Sequence, residues 1–371
     1  MIRISGESME NEAILDRLFT SKQINLNRGE LFDQAMKPID EGFDPEKVEG
    51  MLLGVAIGDA LGATSESYVP RERRHVFGEI RDYLMTRGGE RIGLPTDDTQ
   101  LTFWTLEQLI RDRGFKPGNL ADQFVGRGTI TGIGKTVAES LQRYRSGKRW
   151  YESGLESAGN GALMRISPML IPHLRKGGTD VWVDTALSAI ITHNDRASTS
   201  ACLALIGMLR DLLEMKEPPD PEWWSARYVE LARDLEGRPL YRPGGTLFPD
   251  YRGTVWKYAE RCVQWAESQF ISTVDACNNW SSSAYLMGTI PSLLLILTRY
   301  GHDPEEALVR AVNDTWDNDT IASLTGAMIG ALHGRSGFPA RWIERLSGRT
   351  GESDDGYIFR LIAEAKETFL T

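Results

Sequence analysis

Cysteine is scarce: Cys202, Cys262 and Cys277 are the only three in 371 residues. An odd count with no CxxC or CxxH spacing signals neither a disulfide framework nor a zinc site. Long apolar runs are missing too. The longest uncharged one, 283–298, contains Pro291 and falls short of the ~20 residues a membrane span needs. The first thirty residues carry Glu7, Glu10, Glu12, Asp16 and Arg17 where a secretory leader would have an apolar core, so a reducing, cytoplasmic setting is expected. Basic charge is in deficit, with 42 Lys and Arg against 52 Asp and Glu, a net charge of −10. Broad contact with nucleic acid or an anionic membrane needs a basic surface that displaces counterions, so neither partner is expected. A local anion site stays open.

What is present is ordinary for a globular protein, with 41% hydrophobic and 25% charged residues. Residues 1–46 stand apart, because ten acidic and five basic side chains give them −5 of the total charge. Ile14, Leu15, Leu18 and Phe19 recur at helical spacing, as do Leu31, Phe32, Ala35 and Met36. This predicts an acidic extension of two short helices, docked on the body or reaching for a partner. The body, 47–371, opens with Asp44 as a helix cap and Pro45 at the first helical position. A 3.6-residue period then dominates and strict alternation is hard to find. Helices are expected over 98–112, 135–145, 183–191, 196–216, 221–235, 252–268, 283–299, 304–313, 319–334 and 356–369. The expected fold class is therefore all-α, one multi-helix domain.

Two glycine stripes at a spacing of four, Gly50, Gly54, Gly58, Gly62 and Gly326, Gly330, Gly334, mark faces where helices can approach closely. Asp59 or His333 on these short segments excludes a membrane dimer and predicts central core helices. Asp59 itself reads as a hydrogen-bonded core acid or as support for a site. Residues 236–256, rich in Gly and Pro, are an irregular loop, either a surface insertion or a lid.

Carboxylates cluster twice. Asp97 and Asp98, flanked by Thr96 and Thr99, open the helix expected at 98. Asp314, Asp317 and Asp319, with Thr320, open the glycine-striped helix. Helix capping explains one such residue per cluster, not two or three. Packing so many acids beside apolar helices is costly without cations, and oxygen ligands without His or Cys suit Mg²⁺ or Mn²⁺. If the clusters converge, they have the makings of a two-metal hydrolytic site; capping remains the alternative on spacing alone. GIGKT at 132–136 is not a phosphate-binding loop of the Walker type, since Thr129 stands where glycine is needed. His75, His173, His302 and His333 show no ligand spacing, and the ten tryptophans fit helix faces.

Five blocks then fall into one pattern: GVAIGDALGATSE (54–66), TDDTQLT (96–102), SAGNGALMRISP (157–168), THNDRAS (192–198) and WDNDTIASLTGAMIGALHG (316–334). In this order, across 47–340, they resemble the ADP-ribosylglycohydrolase family. That family includes dinitrogenase-reductase-activating glycohydrolase and the ADP-ribosyl-arginine and ADP-ribosyl-serine hydrolases. The resemblance implies a compact orthogonal helical bundle with two divalent ions in a central cleft. Thr96, Asp97 and Asp98 match the first metal motif; Asp317, Asp319 and Thr320 match the second. Glu66 matches an acidic residue that helps activate water in some relatives. Ser157, Gly159, Asn160 and Gly161 match a loop that holds ADP-ribose, and His193 matches a ribose-side contact. Gly132 and Gly134 match the turn near the diphosphate, where a helix start offers free N–H groups. Thr315 and Trp316 replace a glycine pair common in the family, and Trp316 is expected to narrow the cleft.

The implied activity is metal-dependent hydrolysis of the bond between ADP-ribose and a protein arginine, with two Mg²⁺ or Mn²⁺. Glu66, Asp97 or Asp98 would deprotonate the attacking water. The substrate partner is then an ADP-ribosylated protein. A second reading is an immunity protein whose segment 1–46 blocks an ADP-ribosyltransferase toxin. A third, a crystallin-like structural role, fits poorly with six intact ligand positions.

Overall fold

The computed structural model describes residues 6–40, 42–86 and 88–371. Its helices are α1 (Gly6–Thr20), α2 (Glu46–Ala63), α3 (Pro70–Phe77), α4 (Asp97–Asp112), α5 (Pro117–Gly126) and α6 (Lys135–Arg145). The middle of the chain supplies α7 (Trp150–Ser153), α8 (Asp180–Ile190), α9 (Arg196–Glu214), α10 (Pro221–Ala232) and α11 (Val255–Ser268). α12 (Thr273–Trp280), α13 (Leu286–Tyr300), α14 (Pro304–Asp314), α15 (Asn318–His333), α16 (Ala340–Glu344) and α17 (Tyr357–Phe369) complete it. No strand forms among the described residues, where extended pairing is limited to isolated bridges. The all-α expectation holds.

Local chemistry explains the starts. Proline occupies the first turn of α3, α5, α10 and α14, where a missing N–H costs nothing. Asp195 caps α9 by accepting from Ala197 and Ser198, and Asp303 caps α14 by accepting from Glu306. Pro45 sits one residue before α2 rather than inside it, with Asp44 accepting from the Glu46 N–H at 2.9 Å.

The glycine stripes meet. A Cβ added to Gly54 would lie 1.9 Å from the Gly326 carbonyl oxygen, and one on Gly326 would lie 2.0 Å from the Gly54 oxygen. Gly58 abuts the Ala322 carbonyl and Gly62 the Asp319 backbone in the same way. α2 and α15 therefore touch backbone to backbone. Both helices are buried almost along their whole length at the centre of the bundle.

Residues 10–40 lie against this body. Leu15 and Leu18 are buried, and the Asn11 amide donates to Asp184 at 2.7 Å and to the Phe115 carbonyl at 3.0 Å. The second helix expected near Leu31 is only a 3-10 turn, Glu30–Asp33. Its apolar side chains are buried without a helix, because Met36 leaves the turn to pair with Gly178. Residues 1–5 and 41 of the acidic segment lie outside the described residues. The loop 236–256 is fastened, not free. Buried Glu236 accepts from Val255 and Trp256 at 2.7 and 3.0 Å, and the Tyr241 hydroxyl donates to Asp195 at 2.8 Å.

Candidate functional site

The C-terminal half of α2 organises the first acidic cluster. Asp59, fully buried, accepts the Thr96 N–H at 2.9 Å, the Thr96 hydroxyl at 2.6 Å, the Thr99 N–H at 3.0 Å and the Thr99 hydroxyl. Three of these four donors converge on Oδ2 and the Thr96 hydroxyl takes Oδ1. Thr96, at the N-cap of α4, makes no cap of its own, because the Thr99 N–H it would receive is taken by Asp59. Asp59 is thus a core acid that also fixes the first motif.

Arg73 fixes the second. Its buried guanidinium donates to the carbonyls of Tyr68, Val312 and Thr315, each at 2.7 Å, and to Ser65 at 3.3 Å. One cation so ties the turn bearing Glu66 to the segment entering α15. Burial lowers its affinity for the proton to about 10, with Asp319 and Asp314 opposing. Asn318 adds donations to the Gly62 carbonyl and the Ser65 hydroxyl at 3.2 and 3.0 Å.

Between these clamps opens a cleft of about 490 Å³. Glu66, Asp97, Gly132, Gly134, Ser157, Gly159, Asn160, Gly161, His193, Asp317, Asp319 and Thr320 all line it. Thr96 lines an adjoining cavity, and Asp98 lies beneath the floor, 1% exposed. Glu66, Asp317 and Asp319 each bring a carboxylate oxygen within 4.8 Å of the others. Asp98 accepts the Thr320 hydroxyl at 3.2 Å on one oxygen, while its other oxygen is buried without a partner. The Gly134 N–H reaches Asp97 at 3.3 Å, and the Asn160 amide donates to Asp317 at 2.5 Å and to Thr289 at 3.1 Å.

Crowded acids hold their protons tightly. Burial, then the charge of Asp59, pushes Asp97 up to about 8; burial pushes Asp317 up to about 7 against the Asn160 bond. Asp98 and Asp319 are also held well above the ordinary carboxylate range, again chiefly by burial. Oxygen-only donors, mutual repulsion and an orphaned carboxylate oxygen together fit a hard divalent cation.

The opposite wall is small and polar. A Cβ on Gly161 would come within 2.9 Å of the His193 ring, so the imidazole requires glycine there. Ser157 bonds Thr136 at 3.0 Å. Two expectations fail in detail. Asp314 turns away to Arg310 at 3.5 Å. Trp316 does not line the cleft; its indole N–H donates to Asn278 at 2.8 Å and the ring stays on the surface. Sequence reasoning also missed Arg73, and Lys135 and Tyr285, which line the cleft. α3 carries three arginines in PRERRHVF, and no periodic signal singles out the buried one.

A helical bundle that seats an oxygen-only acidic centre beside a glycine-lined cleft defines a helical protein with a carboxylate-centred cleft. The ADP-ribosylglycohydrolase family model matches residues 41–368, and the chain belongs to that family. It is 26% identical over 316 residues to the ADP-ribosylarginine hydrolase Tri1 of Pseudomonas putida, covering 81% of this chain and 74% of that protein. It is 26% identical over 311 residues to the ADP-ribosyl-[dinitrogen reductase] glycohydrolase of Rhodospirillum rubrum, covering 81% and 90%. A solved ADP-ribosylglycohydrolase-related protein complex superposes with a TM-score of 0.63 at 25% identity, covering 88% of this chain and 98% of that one. The protein is a hydrolase acting on ADP-ribose linkages. No described helix is long and apolar enough to cross a membrane.

Proposed function

We propose that the protein removes ADP-ribose from modified arginine side chains of proteins, reversing an ADP-ribosyltransferase. The observation that carries this reading is the convergence of Glu66, Asp317 and Asp319 at one end of the cleft. The similarity to proteins named ADP-ribosylarginine hydrolase, from Pseudomonas putida and Serratia proteamaculans, favours arginine. Thr96, Asp97 and Asp98 with Asp317, Asp319 and Thr320 would hold two Mg²⁺ or Mn²⁺, which supply Lewis acidity toward the ribose hydroxyls and the developing charge.

The remaining steps fall to the protein. Lys135, Thr136 and Val137 begin α6, so their backbone N–H groups lack helical partners and can receive the diphosphate, with Gly132 and Gly134 allowing close approach. Ser157, Gly159, Asn160, Gly161 and His193 would bracket the rest of the nucleotide. Glu66, on the rim, would take the proton of the attacking water, with Asp97 and Asp98 as the alternative bases. The carbon–nitrogen bond breaks with its electron pair going to nitrogen, so the protonated guanidinium departs as neutral guanidine. The proton taken from water then restores its charge.

The test is release of ADP-ribose from arginine-modified and serine-modified protein, with and without chelator, by the parent and by Asp97→Asn. Metal-dependent release from arginine alone, lost in the variant, is expected; release from serine alone would overturn the assignment. Blocking of a toxin by residues 1–46 has no observation in its favour, since the apolar residues Leu15, Leu18, Leu31 and Phe32 are spent on the body.

A further inference from the structure

The reaction just proposed needs two compartments. A glycosidic bond has a nucleotide side and an acceptor side, and both must meet at the group that handles water. The 490 Å³ cleft, with its glycine loops and the start of α6, suits the nucleotide. A second cavity of about 840 Å³ shares Glu66 and Gly132 with it and has Thr96 in its wall. A surface depression along α6 and two small voids elsewhere touch none of the clustered carboxylates.

The second cavity is built, not a crease. Its two walls, 127–132 and 349–354, hang from α4, the helix that begins with Asp97 and Asp98. The buried Gln100 amide donates to the carbonyls of Thr129 and Thr350 at 3.2 and 2.7 Å and accepts the Thr131 N–H at 2.8 Å. One turn on, the Trp104 indole donates to the Thr350 hydroxyl at 3.1 Å, and the Arg127 guanidinium stacks 5.7 Å from the same ring. Asp354 closes the far wall by accepting the Thr350 and Gly351 N–H groups, both at 2.8 Å.

Its charge is equally specific. Arg127 shares the carboxylate of Glu107 with Arg111, and Arg349 pairs with Asp355 at 2.6 Å, so each lining arginine already has an acidic partner. Glu66 and Glu352 also line the cavity, and neither pairs with a basic side chain among the described residues. A ribosylated arginine keeps its positive charge, which these two carboxylates complement. The volume exceeds what one side chain fills and leaves room for backbone on either side of it.

We propose that this second cavity binds the arginine-bearing polypeptide segment of the substrate, with Glu352 at its mouth and Glu66 where the acceptor meets the nucleotide. The proposal rests on the arginine glycohydrolase reading above. Two variants outside the acidic centre test it. Gly128 is exposed and a Cβ there meets nothing within 4 Å, so Gly128→Trp can fold into the cavity without disturbing the core. It is expected to lower kcat/KM for arginine-ADP-ribosylated protein by about tenfold or more, while the Kd for free ADP-ribose changes less than about twofold. Glu352→Lys is expected to raise KM for the modified protein several-fold, an effect that shrinks at high salt. Turnover of small ADP-ribosyl-arginine should be less affected than that of the protein in both. Parent-like kinetics on modified protein in both variants would overturn the acceptor cavity while leaving the reaction intact. Equal loss of free ADP-ribose binding in Gly128→Trp would also overturn it, by placing nucleotide there. A parent that releases nothing from any arginine substrate would instead overturn the reaction and this occupant with it.

Discussion

The hydroxyl oxygen of Thr192 lies 3.0 Å from His193 Nδ1 and receives a hydrogen bond from buried Arg165 at 3.1 Å on its other side. A guanidinium only donates, so the Thr192 hydrogen is available to Nδ1. Donated there, it leaves neutral His193 with its own proton on Nε2, on the side of the ring that faces Gly159 in the cleft. Burial first and the Arg165 charge second lower its pKa to about 3.

This arrangement gives a spectroscopic expectation. Nitrogen shifts of His193 should report the Nε2–H form throughout pH 5 to 8, conditions set by the pKa of about 3. Thr192→Val should mix the tautomers and weaken ADP-ribose binding by about tenfold, whereas Thr192→Ser should preserve both. An Nδ1–H signal in the parent would defeat the assignment.

The same histidine makes stability depend on pH. Its pKa is about 3 folded against the ordinary 6.5, so between those values the unfolded chain binds the extra proton. The stability it contributes is whole above 6.5 and is lost as pH falls toward 3, at about 1.4 kcal/mol per pH unit. The buried acids titrate in the same window with the opposite sign, so urea unfolding of the parent and of His193→Asn at several pH values should show that slope in the difference between the two proteins.

Packing of α2 on α15 predicts an inverted glycine effect. Gly126, at the exposed end of α5 with open space around it, should tolerate alanine within about 1 kcal/mol. Gly54→Ala, with a backbone oxygen 1.9 Å from the new carbon, should cost about 3 kcal/mol or more despite better helix propensity. Denaturant midpoints check both.

Asp59→Asn should separate support from ligation. Asparagine keeps the shape but presents an N–H₂ group to donors on Thr96 and Thr99. Divalent-cation affinity, measured by calorimetry, is expected to fall about 10- to 100-fold although Asp59 does not line the cleft. Unchanged affinity would reduce Asp59 to a core acid.

Chelation should be visible without substrate. Saturating Mg²⁺ or Mn²⁺ at about 100 times its Kd adds about 2.7 kcal/mol to the folded state. The thermal midpoint should therefore rise with metal, fall with chelator, and become metal-independent in Asp319→Asn.

How much of this was legible in the sequence depended on length and on spacing. α6 and α14, at 11 residues each, repeat an apolar face over three turns, and their limits could be read within a residue. α3, α5, α12 and the 3-10 turn at Glu30 are too short to show a period. The glycine stripes announced a close contact, and they pack against each other. Convergence of residues as distant as Glu66 and Asp319 was suggested by motif resemblance, not by local pattern. Arg73, Gln100 and Arg165 escaped because a buried arginine or glutamine looks like a surface one until its carbonyl partners are known.

The bare contact between α2 and α15 also bears on how such a site changes over time. Glu66 follows the end of one helix and Asp319 opens the other, and no side chain lies between the two at Gly54, Gly58 and Gly326. The interval between the acids is set by backbone thickness, which substitution elsewhere in the core cannot adjust. Outer helices and loops are free to be rewritten for new acceptors while the gauge of the reaction centre stays the same.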